Sequence, residues 1–337
     1  MEKSREQKLS RNTTLDCMRL VFAVSIVALH TNPFIEYNGF ISYFFSQVIS
    51  RLGVPFFALL AGYYFFKSNS EEKYKKTFVR YLTSYTIWSI VYFIFQSILN
   101  INRGGQEVLF RSTIQTYLFD GYYHLWYMLA IIYTIILLWI MKDNKNVLKY
   151  LYGVSLCFLV VGICMFGYGK IFFSIPTFKN LFGQLDMDVN MQTQWLFLVV
   201  PFFMTGYILQ KNKLVEGILY KKAEVLLGCL FIFYLIEVVV LQILDLKTST
   251  TLCIMTYPVV VLIFICALKH PKVINAIKGN YLCHIASFVY FSHIMFSTVL
   301  GLCGFSETKV FFITLMCAVS IGIGIVKCNN RILKKLL

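Results

Sequence analysis

Two ionisable residues, Arg19 and His30, lie eleven positions apart in a largely apolar stretch, LDCMRLVFAVSIVALH. Because an α-helix turns about 100° and rises about 1.5 Å per residue, both project from nearly the same face, about 16 Å apart along the axis. A fixed cation and a ring that titrates near neutral pH usually face a protein interior or a water-filled cavity when they lie inside an apolar span. Asp16 is expected to pair with Arg19, orienting it or lowering the cost of burying it. This helix is therefore the first candidate for chemistry.

A second cation lies in the next apolar span. Arg51 stands in SRLGVPFFALLAGYYFF, and Gly53 and Pro55 follow at once, which predicts a kinked or broken helix. Arginine near the middle of a span needs a partner or an anionic ligand. Two interpretations stay open: Arg51 binds a ligand, or it pairs with a buried carboxylate, of which Glu237 is the clearest.

Two later spans also carry histidines. His124 and Trp126 lie in YYHLWYMLA; an interfacial aromatic belt explains Trp126 but explains His124 less well. His293 lies in SFVYFSHIMF, three residues after Tyr290, so the two share a helix face. A Tyr–His hydrogen bond or a common pocket is one interpretation, and a structural interhelical histidine is the other. His284 is expected at an interface or in solvent.

Membrane helices are expected to position all of these residues. Of 337 residues, 58% are hydrophobic and 14% charged, and the mean hydropathy is +0.69. Soluble domains carry about 25% charged residues. The long uncharged runs predict an all-α, polytopic transmembrane bundle, because barrel strands would alternate polar and apolar residues. Ten apolar spans are predicted, at about 15–34, 41–66, 80–100, 122–141, 147–167, 194–210, 222–244, 250–268, 282–303 and 308–326.

The Lys and Arg residues alternate between the two sides of such a bundle. With a cytoplasmic N-terminus, 23 of the 31 lie inside and 6 outside, which predicts that both termini are cytoplasmic. Arg19 then lies near the cytoplasmic end of the first helix and His30 near the opposite end. The expected organisation is a basic N-terminal segment (1–14), a ten-helix membrane domain (15–326) and a basic C-terminal segment (327–337), in the cell membrane.

Other classes of function are disfavoured. The net charge of +15 comes from short clusters between spans, which favours a lipid bilayer and not nucleic acid as the partner. The ten cysteines show no CxxC pair and no metal-ligand spacing, so neither a metal site nor a disulfide framework is expected. The apolar run after the basic N-terminus is too long for a signal peptide, so we expect a retained first helix.

The chain resembles acyltransferase family 3, integral membrane O-acyltransferases that modify sugars and envelope polymers. Four motifs in family order carry the resemblance: Leu15-Asp16 with Arg19-x10-His30, VPFFALLAGYYF (Val54–Phe65), HLWYM (His124–Met128) and VYFSH (Val289–His293). Ala61 replaces the family's usual serine, and no extracytoplasmic hydrolase-like domain is expected after the tenth helix. The chain is also similar to the membrane half of membrane-bound serine racemases of vancomycin resistance.

The resemblance implies transfer of an acyl group, with acetyl as first choice, from a cytoplasmic acyl-CoA donor to a hydroxyl of an envelope carbohydrate. No bound cofactor is implied. His30 would act as general base and Arg19 would hold donor phosphate. Arg51 would hold donor phosphate or the thioester carbonyl. The acceptor side would be lined by His124, Trp126, Tyr290 and His293.

Two other functions stay open. A transporter of serine or another small polar solute would use the same polar residues along a pathway, and a broken second helix fits both functions. A structural scaffold would leave His30 and Arg51 without a purpose.

Overall fold

The computed structural model describes residues 12–66, 71–102, 114–141, 144–183, 191–211, 218–247, 252–271 and 279–328, and its regular secondary structure is helical throughout these ranges. Shorter helices connect ten main ones. The main helices are α1 (Thr13–Thr31), α2 (Gly39–Phe66), α3 (Glu71–Asn102), α4 (Tyr123–Met141), α5 (Lys145–Phe166), α6 (Trp195–Lys211), α7 (Ala223–Ile243), α8 (Thr256–Lys269), α9 (Gly279–Leu302) and α10 (Glu307–Lys327).

Each of the ten predicted spans coincides with one main helix. Eight are long and apolar enough to cross a membrane, whereas α6 and α8 are shorter apolar helices. The all-helical, multi-pass prediction is therefore confirmed. The number of crossings and the orientation of the termini stay predictions.

A carboxylate from α7 holds the segment that leads into α8. Glu237, on α7, accepts hydrogen bonds from the backbone nitrogens of Ile254 and Met255, both at 2.8 Å, and from the Tyr168 hydroxyl at 2.6 Å. A carboxylate at this point satisfies amides that a helix start leaves without intrahelical partners. The structure therefore does not show the possible pairing of Glu237 with Arg51.

The helix break predicted around Gly53 and Pro55 lies just before them. Within α2, Phe44–Ile49 is π-helical and Ser50–Leu52 is 3-10, and a regular α-helix resumes at Gly53. A proline lacks the amide proton for the i−4 carbonyl, and its ring crowds that carbonyl. The same reason applies in α6, where the π-helical turn Trp195–Val199 precedes Pro201.

Helices α2 and α6 cross in backbone contact. A Cβ atom added at Gly62 would lie 2.7 Å from the carbonyl carbon of Phe203 and closer still to its oxygen. One added at Gly206 would strike the backbone of Leu59 and Tyr63. Glycine is therefore required on both helices at this crossing, which holds the α2 segment after Arg51 in place.

The loop after α1 is fastened to the start of α10. The carboxylate of Glu36 accepts hydrogen bonds from the Thr308 backbone nitrogen at 2.9 Å and from its hydroxyl at 2.6 Å. These bonds lower the pKa of Glu36 to about 2. The loop therefore stays attached to α10 while this carboxylate is ionised.

We expect Glu36→Gln to lower Tm at about pH 6 and to differ less from the wild type at about pH 2. A carboxylate with a depressed folded-state pKa stabilises above its ordinary pKa, and the gain disappears as the pH falls through the folded value. The stabilisation by Glu36 is therefore lost as the pH falls from about 4.5 to about 2. Thermal unfolding at several pH values measures this, with Glu307→Gln as control. A Tm difference that stays constant across the window would contradict it.

Candidate active site

A large cavity contains Arg19. It measures about 530 Å³, and we call it the Arg19 cavity. The Arg19 guanidinium lies 3.2 Å from the Asp16 carboxylate, 2.8 Å from the Cys283 sulfur and 5.4 Å from the centre of the Tyr64 ring. Arg19 keeps 23% of its side chain exposed, so it is oriented by these contacts and remains accessible from the cavity. The expected pairing with Asp16 is confirmed.

A second, smaller cavity contains His30. It measures about 130 Å³, and we call it the His30 cavity; His30, Arg51, His124 and Trp126 are among its lining residues. The four come from α1, α2 and the start of α4, and His30 itself is exposed to the cavity. The structure thus brings together side chains that lie up to 96 positions apart in the sequence.

Two tyrosines form the wall between the cavities. Tyr127 and Tyr290 line both of them, and their ring centres lie 6.1 Å apart. The Tyr290 hydroxyl donates to the backbone oxygen of His124 at 2.7 Å, which joins α9 to the start of α4. The expected hydrogen bond between the Tyr290 and His293 side chains is therefore not formed, because the Tyr290 hydroxyl is directed toward α4.

Irregular backbone surrounds the His30 cavity. The π-helical turns of α2 and α6 contribute or adjoin the lining residues Arg51 and Leu198. Tyr123, directly before His124, has a φ of 46°, which is unfavourable for a non-glycine residue. π-helical turns and strained residues are frequent at functional sites, and they persist only where the surrounding packing holds them in place.

Three imidazole rings meet beside this cavity. The ring centre of His293 lies 5.2 Å from that of His30 and 4.6 Å from that of His124. His293 is 0% exposed and therefore lies behind the two histidines that line the cavity. The sequence predicted each histidine separately; their convergence comes from the packing of α1, α4 and α9.

The hydrogen bonds of His293 determine its tautomer. Its Nδ1 lies 2.7 Å from the backbone oxygen of Tyr290, and a carbonyl oxygen can only accept, so Nδ1 carries the proton. In the neutral ring, Nε2 is then an acceptor, and it has no hydrogen-bond partner among the described residues. A buried, free acceptor therefore lies next to the His30 ring.

His124 is the less constrained member of the group. Neither of its ring nitrogens makes a hydrogen bond of normal geometry within the described ranges, although the backbone at Tyr290 and Phe291 lies close enough to interact with it. Its ring packs edge-on against Tyr290, with centres 4.9 Å apart. The three rings do not form a metal site: across the described residues, no group of three His, Cys, Asp or Glu is arranged to hold a metal ion.

Arg51 lines the His30 cavity and has a neutral partner. Its Nε and Nη2 donate to the amide oxygen of Gln47 at 3.2 and 2.9 Å. No carboxylate of the described chain lies within 4.0 Å of its guanidinium. The positive charge is therefore directed toward the cavity without an acidic partner.

Several lining residues are not among the candidates that the sequence predicts. Tyr127 belongs to the HLWYM motif, but a tyrosine there also fits an interfacial belt, and Arg80 lies in a cluster of basic loop residues. Both line the Arg19 cavity, as does His284, which the sequence places in solvent or at an interface. Periodicity could place Tyr127 on a helix, but only the contact with Tyr290 shows that it separates two cavities.

Comparison with known proteins agrees with the predicted resemblance. A model of acyltransferase family 3, described as an acyltransferase domain, matches residues 12–328. Two similar curated proteins, both named amino-acid racemase and both from Enterococcus faecalis, are 28% identical over 161 residues (45% of this chain, 22% of that protein) and 25% identical over 200 residues (57% and 27%).

The chain thus spans about a quarter of the length of these curated relatives. No solved structure matches it. The family match covers nearly the whole described chain and includes all four motifs around the two cavities. This multi-pass membrane protein therefore belongs to acyltransferase family 3.

Proposed function

We propose that the protein is an O-acyltransferase of the cell membrane that moves an acyl group, acetyl as first choice, from acyl-CoA to a hydroxyl of an envelope carbohydrate. The observation that carries the proposal is the pair of cavities that meet at Tyr127 and Tyr290, with Arg19 on one side and His30 on the other. Donor and acceptor can thus approach from opposite sides of one wall.

The Arg19 cavity is the proposed donor site. Arginine binds phosphate through paired, charge-assisted hydrogen bonds, and Arg80 lines the same cavity. The aromatic and aliphatic residues that also line this cavity, such as Phe57 and Leu60, suit the less polar arm that carries the thioester. In the predicted orientation this cavity opens toward the cytoplasm, where acyl-CoA is found.

The His30 cavity is the proposed site of attack. His30 takes the proton from the acceptor hydroxyl while the hydroxyl oxygen attacks the thioester carbonyl carbon. The tetrahedral intermediate then collapses, the carbon–sulfur bond breaks, and the leaving coenzyme thiolate takes the proton from His30, which restores the neutral base. Arg51 is placed to stabilise negative charge in this cavity, and Trp126 and Tyr290 form its walls.

His293 is the proposed positioning residue. Its ring centre lies 5.2 Å from that of His30, and its Nε2 makes no hydrogen bond within the described residues, so we assign this nitrogen to accept a proton of His30 and leave the other His30 nitrogen as the base. This role replaces the contact with substrate that the family motif implied, because His293 is fully buried.

We expect His293→Ala to lower kcat by about tenfold or more with little change in the KM of the donor, since a disoriented base weakens only the chemical step. His293→Gln keeps an acceptor and is expected to recover part of the rate. The pH profile of kcat should shift in both variants. A lower Tm in both variants with an unchanged pH profile of kcat would show that His293 has only a structural role.

We expect Arg19→Ala to raise the KM for acyl-CoA by about tenfold or more, because a hydrogen bond to a charged group contributes about 1.5–3 kcal/mol. Arg19→Lys should recover only part of this, since an ammonium lacks the planar pair of donors. Donor titrations at saturating acceptor measure it, with Lys327→Ala as the control. An unchanged KM would show that Arg19 does not bind the donor phosphates.

Reconstitution tests the function itself. Proteoliposomes receive acyl-CoA with a labelled acyl group on one side and a mixture of envelope oligosaccharides on the other. Mass spectrometry then looks for an acceptor heavier by one acyl group. Transfer that requires the protein and both substrates supports the proposal. Free coenzyme released without any acylated acceptor would contradict it.

A transporter of serine or another small polar solute is the second candidate. Two cavities separated by a thin wall also suit alternating access, and the curated relatives are named amino-acid racemases. Uptake of labelled serine by the same proteoliposomes without acyl-CoA would favour transport over acyl transfer.

A further inference from the structure

Arg51 carries a charge that the described protein does not neutralise. Its partner Gln47 is neutral, and the carboxylate of Glu237 is engaged with Tyr168 and two backbone amides. A cation without an acidic partner at membrane depth is costly. An anionic ligand in the His30 cavity would remove that cost.

Lys247 is a second cation, and it contacts α2 through Tyr43. Its ammonium donates to the Tyr43 hydroxyl at 2.8 Å and to the Gln242 amide oxygen, and it lies 4.8 Å from the centre of the Tyr43 ring. These partners are neutral, and the nearby Asp245 forms an ion pair with Lys170 instead.

Arg51 and Lys247 influence each other. Tyr43, Gln47 and Arg51 follow one another at intervals of four residues along α2, so the Lys247 ammonium, bound to the Tyr43 hydroxyl, lies beside the helix face that carries Arg51. Burial and the positive charge of Arg51 lower the pKa of Lys247, while Asp245 raises it. A guanidinium and an ammonium along one helix face provide the donors that recognise a phosphate or a carboxylate.

The phosphates of the donor are not the natural partner for this pair. The proposed donor site lies around Arg19, on the other side of the Tyr127–Tyr290 wall. The anion that Arg51 and Lys247 recognise should therefore arrive with the acceptor.

We propose that the acceptor carries a phosphate or a carboxylate close to the hydroxyl that is acylated, and that Arg51 and Lys247 bind this anionic group. The inference rests on the proposed function and specifies its acceptor as an acidic carbohydrate or polyol phosphate. Neutral acceptors of similar size would then bind more weakly and react more slowly.

The test measures binding without any acyl donor. The full chain, in nanodiscs of phosphatidylcholine so that no anionic lipid competes, is titrated with glycerol 3-phosphate, glucuronate and glucose by calorimetry. We expect at least one anionic probe to bind about tenfold or more tightly than glucose, as a charge-assisted contact should give. A preference for phosphate or for carboxylate then identifies the kind of acceptor.

Charge reversal provides the matched comparison. Lys247→Glu should abolish the preference for the anion, Lys247→Gln should reduce it, and Lys309→Glu, an exposed charge reversal on α10, should leave it unchanged. Tm values check that each variant is folded. Equal binding of glucose and both anions, or a preference that survives in folded Lys247→Glu, would overturn the inference.

The proposed function can fail separately. If anions bind through Lys247 but no acyl group is transferred in proteoliposomes, the anion site stands and the acyltransferase proposal fails. If neutral oligosaccharides are acylated as well as acidic ones, the function stands and the acidic acceptor is excluded.

Discussion

His30→Ala is expected to lower the rate of acyl transfer by about 10²- to 10⁴-fold, the usual contribution of a general base. The side chain is exposed to its cavity, so its removal should cost little packing and leave the protein inserted and folded. Single-turnover transfer from labelled acyl-CoA, with Tm measured on the same preparation, separates lost chemistry from lost folding. Donor binding should stay near the wild-type value, since Arg19 lies in the other cavity.

His270→Gln is the matched control, because the His270 side chain is exposed, contacts Glu224 and lines neither cavity. Mass analysis of the envelope polymers from a His30→Ala strain, beside those from a deletion strain, extends the test to the cell. Acylation at the wild-type rate by folded His30→Ala protein would exclude His30 as the base. The three-histidine arrangement would then need another proton acceptor, with His124 as the remaining histidine on the cavity wall.

Gly62→Ala is expected to cause a large loss of stability through the addition of a single methyl group. The new Cβ would overlap the Phe203 carbonyl, and a backbone atom cannot rotate away as a side chain can. Overpacking usually lowers stability by about 1–3 kcal/mol. Because this clash is with the main chain, we expect a loss at or above the top of that range. Helices α2 and α6 would have to separate, which displaces Arg51 and the lining of the His30 cavity.

Gly153→Ala is the matched control for this experiment. Gly153 lies within α5 with open space around the position of an added Cβ, so alanine there should be neutral or slightly stabilising through its higher helix propensity. Thermal unfolding of the detergent-purified variants measures both. Equal Tm values for Gly62→Ala and the wild type would show that the α2–α6 crossing can relax.

Much of the framework follows from the sequence. Apolar length alone identifies the helices, because a membrane span must satisfy its backbone hydrogen bonds internally. The 3.6-residue periodicity also relates Arg19 to His30, and proline positions indicate where α2 departs from regular geometry. These are local properties of one helix, which its own residues determine.

The interhelical contacts could not be obtained in this way. Nothing in the spans around His30, His124 and His293 states that the three rings meet, since they belong to helices separated by more than ninety residues. The tautomer of His293, by contrast, follows from its own helix, because the backbone oxygen of Tyr290 three residues earlier accepts the Nδ1 proton. The lack of a hydrogen-bond partner for Nε2 among the described residues depends on the tertiary packing.

The sequence by itself thus determined an all-helical membrane protein and the opposite ends at which Arg19 and His30 lie on α1, and it supplied the candidate residues for chemistry. Only the tertiary structure decided that these ends face two cavities and that Tyr127 and Tyr290 separate them. It also decided that Glu237 binds backbone amides at the start of α8, which leaves Arg51 without an acidic partner among the described residues. The physical reason is that periodicity records which residues share a helix face, while close backbone approach, as at Gly62 and Gly206, sets which faces meet.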